Sequence, residues 1–260
     1  MAEQQKSEGV AALTRGLEIL RCFSAREPRL SNSELAARTG LPRSTVSRLT
    51  KTLVEHGYLR HSPRQRQYSV GPSVLALGYS ALSNLRVADI ARPHMQALAE
   101  STGALISLAT RDRLSMLYLE ACSTDTLMTL RMGRGVRMPM LPTSIGRAFL
   151  AGLPEKERGY LVEQLRQKND PVLSDEDLQK LEREIQRYEE EGVCLSLGDW
   201  NTDVNAAATT VRWPGANELI VISISGPSFL TTEAVLKETW VPRLKQLAQH
   251  ISKQLSSFAV

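Results

Sequence analysis

At 260 residues the chain is long enough for one small and one medium domain, each with its own core. Its formal charge of +4 is unevenly placed: residues 1–78 hold 12 Lys plus Arg against 6 Asp plus Glu, and the remainder carries a net −2. No apolar run reaches the roughly 18 residues needed to span a bilayer. Cys22, Cys122 and Cys194 stand far apart, without a CxxC pair or a nearby histidine, which argues against a zinc site and leaves them as bystander or buried thiols. With no signal-peptide pattern at the start, a soluble, cytoplasmic protein is expected.

Met1–Gly9 is small and polar and is expected to form a flexible leader. The first legible unit lies between Ser31 and Tyr58. Ser31 stands three residues before Glu34, a capping-box spacing that opens a helix, and Leu35 and Ala36 give it a small apolar face. Gly40 allows a tight turn, and Pro42 suits the start of a second helix, where its missing N–H costs nothing. In that helix Val46, Leu49 and Leu53 form one apolar stripe. Ser44, Ser47, Arg48 and Lys51 occupy the other face, with Arg43 and Thr45 completing its N-terminal turns. Short hydroxyls and cations are what a helix entering the DNA major groove requires. An ordinary amphipathic surface helix would show the same stripe, and the stripe alone does not separate the two.

The hairpin after the helix does. Gly57–Arg60 and Gln67–Val70 read as two short strands joined by a tip that carries Arg64 and Arg66. A basic hairpin directly after a helix-turn-helix is a wing, placed to neutralise phosphates or reach the minor groove.

The stretches Thr14-Arg-Gly-Leu-Glu-Ile-Leu20, Glu34–Leu49, Leu53-Val-Glu-His-Gly-Tyr58, Tyr68-Ser-Val-Gly71, Gly135–Ala151 and Ile222-Ser-Ile-Ser-Gly-Pro227 together resemble the IclR-type (isocitrate lyase regulator) bacterial transcription regulators. The resemblance covers about residues 10–256. It implies an α+β protein: an N-terminal winged helix-turn-helix over 10–71, a linker helix over 72–86, and a C-terminal effector-binding domain over 87–258 with a GAF-like antiparallel sheet flanked by helices. It also implies dimers that assemble to tetramers and bind double-stranded operator DNA under control of a small metabolite.

After Gly71-Pro72, the residues Val74, Leu75, Leu77, Leu82 and Leu85 give a helical pattern whose apolar face suits dimerisation. A helical connection can transmit a change of orientation, as a flexible one cannot. A helix from Val87 to Thr102 comes next, then strands at 104–110, 114–120 and 126–131, the first two joined by the charged turn Arg111-Asp112-Arg113. Helices are predicted at 143–151, 155–167 and 174–191, strands at 193–197, 205–212 and 218–225, and one last helix from about 231 to 256. Strands, then helices, then strands argue for an antiparallel α+β sandwich.

The helix starting near Thr143 offers free N–H groups and two hydroxyls, Thr143 and Ser144, at its positive end, which suits a carboxylate. Ser223 and Ser225 alternate on one strand and point to one face, with Ile222 and Ile224 on the other. In relatives the matching positions line the effector pocket, so the resemblance implies that role for Thr143, Ser144, Ser223 and Ser225; a helix cap and solvent-facing serines would be the plain alternative. The text from Ser196 to Val211 departs from the family's glycine- and proline-bearing loop, with Asp203 and Thr210 at those places. Polar contacts are therefore expected from Ser196, Asp199 or Asn205, and Trp200 is either a pocket wall or a cover for the core. Met116, Met128, Met138 and Met140 lie on or near the strands and loop facing this region, where methionine suits an adaptable apolar cavity or plain core. An apolar pocket with a carboxylate-binding helix end favours a hydrophobic or aromatic acid over a very small one.

Catalysis is not indicated. Gly133-Arg-Gly-Val-Arg137 faintly resembles a loop of biotin-protein ligases but lacks the rest of that pattern. No phosphate-binding loop, zinc-protease helix or nucleophile elbow occurs, and His56, His61, His94 and His250 are scattered. No cofactor or metal is expected. The alternative is an architectural DNA-binding protein whose second domain only oligomerises.

Overall fold

The computed structural model describes residues 2–24, 27–83, 86–124, 132–167, 174–213 and 219–257. It divides into two compact units, Met1–Leu85 and Arg86–Val260.

The first unit opens with helix α1 (Ala2–Arg21), so the segment expected as a leader forms the first turns of a helix. Strand β1 (Arg29–Ser31) then runs into α2 (Asn32–Thr39). The capping box forms as its spacing dictates: Ser31 Oγ accepts the Glu34 amide, and the Glu34 carboxylate accepts the Ser31 amide at 2.6 Å. Gly40, at φ +68°, ends α2 in the left-handed region, which only glycine enters without steric cost. Helix α3 (Arg43–Glu55) begins directly after this turn. Strands β2 (Leu59–Ser62) and β3 (Gln67–Val70) form the antiparallel wing, and β1, which carries no strand signal in the sequence, pairs with the outer side of β3. Ile19, Phe23, Leu30, Leu35, Val46 and Leu59 close the core; each fully buried aliphatic chain of this kind contributes about 1.5–3 kcal/mol. Helix α4 (Pro72–Ser83) lies where the linker helix is expected, and the expected end of that helix falls at residues 84 and 85, outside the described residues.

The second unit begins with α5 (Arg86–Thr102), followed by β4 (Leu105–Asp112) and β5 (Ser115–Cys122). The strand expected over 126–131 lies outside the described residues. Strand β6 (Arg137–Pro139), unforeseen in the sequence, pairs with β5. Helices α6 (Ser144–Ala151), α7 (Glu155–Gln167) and α8 (Asp175–Glu191) come next, then strands β7 (Cys194–Leu197), β8 (Val204–Val211) and β9 (Ile220–Pro227). The expected single last helix is broken into α9 (Glu233–Val235), a π-helical turn Leu236–Trp240 and α10 (Val241–Ser257). Pro242 supplies the reason: it has no N–H for the regular ladder and its ring crowds the preceding turn, so the turn before it widens and the Val241 amide bonds back to Leu236.

The six strands form one antiparallel sheet in the order β6-β5-β4-β9-β8-β7. Strand alternation sorts its two faces. Ile106 and Leu108 of β4 pair with Ile224 and Ile222 of β9, on the face that meets α5 and α10. Leu105, Ser107 and Ala109 pair with Ser225, Ser223 and Val221 on the other face, where α6 lies. A bulge in the β4–β5 ladder puts Tyr118 opposite Ala109 and Glu120 opposite Leu108, so the tyrosine faces α6 and the carboxylate the opposite side.

Candidate nucleic-acid interface and ligand pocket

In the first unit, α3 buries Val46 and Thr50 and leaves Arg43, Ser44, Ser47, Arg48 and Lys51 exposed. Thr45 is half-buried. Lys51 makes a loose i,i+4 ion pair with Glu55 at 3.9 Å; an exposed pair of this kind is worth little and yields readily to a phosphate. Arg64 and Arg66 stand exposed at the wing tip, with Arg66 at φ +52°. Two features steady the wing that the sequence did not reveal: Arg29 of β1 donates to the Gln65 side chain at 3.2 Å, and His61 and Tyr68 stack across the hairpin with centroids 4.7 Å apart. Exposed Arg60 on β2 adds a cation that strand alternation could have signalled.

The second unit holds a narrow cleft between α6 and the sheet: about 460 Å³ lies between its atoms with open solvent included, and about 30 Å³ is reachable by the centre of a water molecule. Thr143, Ser144, Ser196, Ser223 and Ser225 all line it, as does Trp200. Their hydroxyls are not equivalent. Thr143 caps α6, accepting the Gly146 amide at 3.2 Å while donating to the Pro139 carbonyl at 2.7 Å. Ser196 donates to the Pro142 carbonyl at 2.9 Å, and Ser223 shares a 2.7 Å bond with Ser107. Burial pushes the Tyr118 phenol above its usual range, partly offset by its hydrogen bond with Ser107, so the wall beyond this serine pair is a neutral hydroxyl. Ser144 and Ser225 make no side-chain hydrogen bond among the described residues. The first-turn amides of Ser144 and Ile145 lie beside them, without partners inside the helix. No charged side chain lines the cleft among the described residues. Gly146 lets α6 approach so closely because a Cβ there would lie 1.9 Å from the Met140 carbonyl oxygen.

Two expected contacts are corrected. Asp199 does not line the cleft: its carboxylate is held by Arg147 at 2.7 Å and Lys180 at 3.4 Å. Asn205 is likewise absent from the lining, its amide donating to the Thr231 carbonyl at 2.8 Å. Of the methionines, Met138 lines the cleft, Met116 and Met140 are plain core, and Met128 lies outside the described residues. Met132, Leu105, Tyr118 and Val204 also line it and were not foreseen. For Tyr118 the alternation of β5 is a usable signal; for Met132 and Val204 the local sequence carries none.

Buried charges hold the cleft's frame. Arg147, 3 % exposed, donates to the carbonyls of Leu141 at 2.7 Å and Leu195 at 2.9 Å as well as to Asp199. The Leu195 amide, on the edge strand β7, is taken by the Glu184 carboxylate at 2.5 Å. Burial raises the Glu184 carboxyl above its usual range, against the lowering effect of that amide and of Arg187 and Arg147. On the opposite face burial also opposes ionisation of Glu120, but hydrogen bonds from Arg134, the Ala121 amide and Arg92 hold its carboxyl below the usual range. The three cysteines are free and none of them lines the cleft, and no group of three or more metal-ligating side chains occurs among the described residues.

Residues 12–63 match the IclR helix-turn-helix domain, and residues 79–253 match the C-terminal domain of bacterial transcriptional regulator IclR. The chain belongs to the IclR family. A similar protein is the HTH-type transcriptional regulator TsaQ1/TsaQ2 of Comamonas testosteroni, 38 % identical over 95 % of this chain and 88 % of that protein. The Pca regulon regulatory protein of Pseudomonas putida is 26 % identical over 95 % of this chain and 84 % of its own length. Among solved structures, an IclR-family regulator from Brucella abortus superposes with a TM-score of 0.84 at 40 % identity, over 94 % of this chain and 91 % of that one. An IclR homologue from Microbacterium hydrocarbonoxydans, complexed with 4-hydroxybenzoate, shares the fold with a TM-score of 0.75 at 22 % identity, over 95 % and 99 % of the two chains. This IclR-family chain is thus a DNA-binding transcriptional regulator and not an enzyme, with a winged helix-turn-helix followed by an α+β antiparallel-sheet domain. Among its described residues no helix is long and apolar enough to cross a membrane.

Proposed function

We propose that this regulator binds double-stranded operator DNA through α3 and the wing, and that a small organic carboxylate bound in the cleft modulates the binding. Arg43, Ser44, Ser47, Arg48 and Lys51 enter the major groove, with half-buried Thr45 at the margin, while Arg64 and Arg66 hold the flanking backbone. The protein works in the cytoplasm as a homodimer that assembles to a homotetramer. The exposed Leu75, Leu77 and Tyr79 of α4 support self-association.

The observation that carries the effector reading is the pair of uncommitted hydroxyls, Ser144 and Ser225, beside the N-terminus of α6 in a cleft whose other hydroxyls are already hydrogen-bonded within the protein. With no cationic side chain among the lining residues described, a ligand's negative charge is met by the helix end and hydroxyls. That favours a monocarboxylate with an apolar or aromatic body; Thr143, Ser196 and Ser223 complete the polar rim through hydroxyls already oriented by the protein. A 10- to 100-fold effect on operator affinity needs about 1.4–2.7 kcal/mol of coupling, and operator DNA changes ligand affinity by the same factor.

Fluorescence anisotropy on DNA upstream of the protein's own gene, at fixed salt, with aliphatic and aromatic acids including 4-hydroxybenzoate, tests this. One acid is expected to shift affinity about tenfold; binding that no acid alters would support an effector-independent architectural role. Arg48→Ala is expected to cost about 1–3 kcal/mol of operator affinity while leaving oligomeric state intact. Ser225→Ala is expected to weaken the active acid by about 1 kcal/mol without changing DNA affinity in its absence. An unaltered dose response in Ser225→Ala would move the ligand elsewhere.

A further inference from the structure

The hydroxyls of α3 are not all free to face DNA. Thr50 donates to the Val46 carbonyl at 2.8 Å and Thr52 to that of Arg48 at 3.3 Å, the usual back-bonding of a helical threonine. Exposed Ser47 behaves differently. Its hydroxyl donates to no carbonyl among the described residues, and its oxygen instead accepts the side-chain amide of Asn32 at 2.9 Å. Asn32 sits on a fixed platform. It is the first residue of α2, directly after the Ser31 capping box, and β1 just before it is paired to β3 and anchored by buried Leu30.

A serine hydroxyl has one proton and two lone pairs. When Asn32 donates to one lone pair, the Ser47 proton is repelled from that amide and turns outward from the α2–α3 junction. We infer that Asn32 is a positioning residue for operator recognition: it sets Ser47 as a hydrogen-bond donor, so that Ser47 selects a base-edge acceptor. In the major groove guanine offers N7 and O6 and thymine offers O4, whereas cytosine presents an N4 donor. Ser47 therefore favours guanine or thymine over cytosine at one position of each half-site. The inference rests on α3 being the base-contacting helix.

The test selects the full-length protein's preferred duplex from a randomised pool, then compares Asn32→Ala, Asn32→Asp, Ser47→Ala and Arg48→Ala on single-base variants of it at one salt concentration. The position read by Ser47 is the one whose preference flattens in Ser47→Ala. There the wild type is expected to favour guanine or thymine over cytosine by about tenfold, and Asn32→Ala to reduce this to about two- to threefold. Asn32→Asp can only accept, so it draws the serine proton inward and presents a lone pair to the groove; cytosine is then expected to be favoured. In the Ser47→Ala background, Asn32→Ala is expected to change nothing further. A merely structural role for Asn32 would lower affinity for all sequences alike and would not move the ratio. Unchanged ratios in both Asn32 variants, with the position flattened in Ser47→Ala, would overturn the inference and leave α3 as the reader. No change in the base preferences of Ser47→Ala at any position, with Arg48→Ala still costly, would also overturn it. If Ser47→Ala and Arg48→Ala both leave affinity and profile intact, the recognition-helix reading falls with it.

Discussion

Arg147→Met is expected to lower the stability of the Arg86–Val260 unit by about 3–5 kcal/mol, the range for breaking a buried ion pair from one side. Methionine keeps most of the volume and suits a helix, so the loss comes from what the guanidinium leaves behind. The Leu141 and Leu195 carbonyls lose their donor in the interior, and Asp199 keeps only Lys180, at 3.4 Å. The effect extends to the cleft, because Arg147 ties α6 to β7 and to the loop that carries Trp200. Urea unfolding followed by far-UV circular dichroism checks it, with Lys180→Met as the control, expected to cost under about 1 kcal/mol as a partly exposed cation. Adding Asp199→Leu to Arg147→Met should recover part of the loss, since the orphaned carboxylate goes too. A loss below about 1 kcal/mol in the single variant would mean that water or neighbouring groups replace all three bonds.

Gly71→Ala should damage the winged unit in a way that its mild chemistry does not suggest. A Cβ at Gly71 would stand 2.1 Å from the Gly57 carbonyl oxygen and 2.9 Å from its carbon, backbone that no rotamer can move aside. The same crossing is stitched by the Gly71 amide to the Tyr58 carbonyl at 2.8 Å and the Ser73 amide to that of Gly57 at 3.3 Å. The two ends of the wing must therefore part. The expected cost is about 3 kcal/mol, with at least about tenfold weaker operator binding because the wing is re-aimed relative to α3. Gly78→Ala in α4, where a Cβ meets nothing within 4 Å, is the control and is expected to be neutral or stabilising by up to about 1 kcal/mol. Wild-type unfolding of Gly71→Ala would show that the wing base relaxes without penalty.

Short-range patterns were legible in the chain because the interactions behind them span only a few residues. The Ser31–Glu34 capping box, the left-handed Gly40, the apolar stripe of α3, and the opposed faces of Ser223/Ser225 and Ile222/Ile224 each need no partner beyond one turn or one strand. Family resemblance extended that reading to the overall architecture and to the serines and threonine that line the cleft. Where local rules met tertiary packing, they failed. Asp199 and Asn205 looked like ligand contacts because both are polar and close to the right loop, yet each is spent on a partner, Arg147 or the Thr231 carbonyl, that only folding brings near. Ser107 meets Ser223 across 116 positions of sequence because β4 and β9 are neighbours in the sheet. Arg147 is the one charged residue of α6; its burial and its three acceptors come from where β7 ends the sheet. What the residues settle alone is the set of elements and the chemistry each face can offer; which of those groups remain free for DNA or ligand is settled by packing, since a polar group buried against a partner is no longer available to anything else.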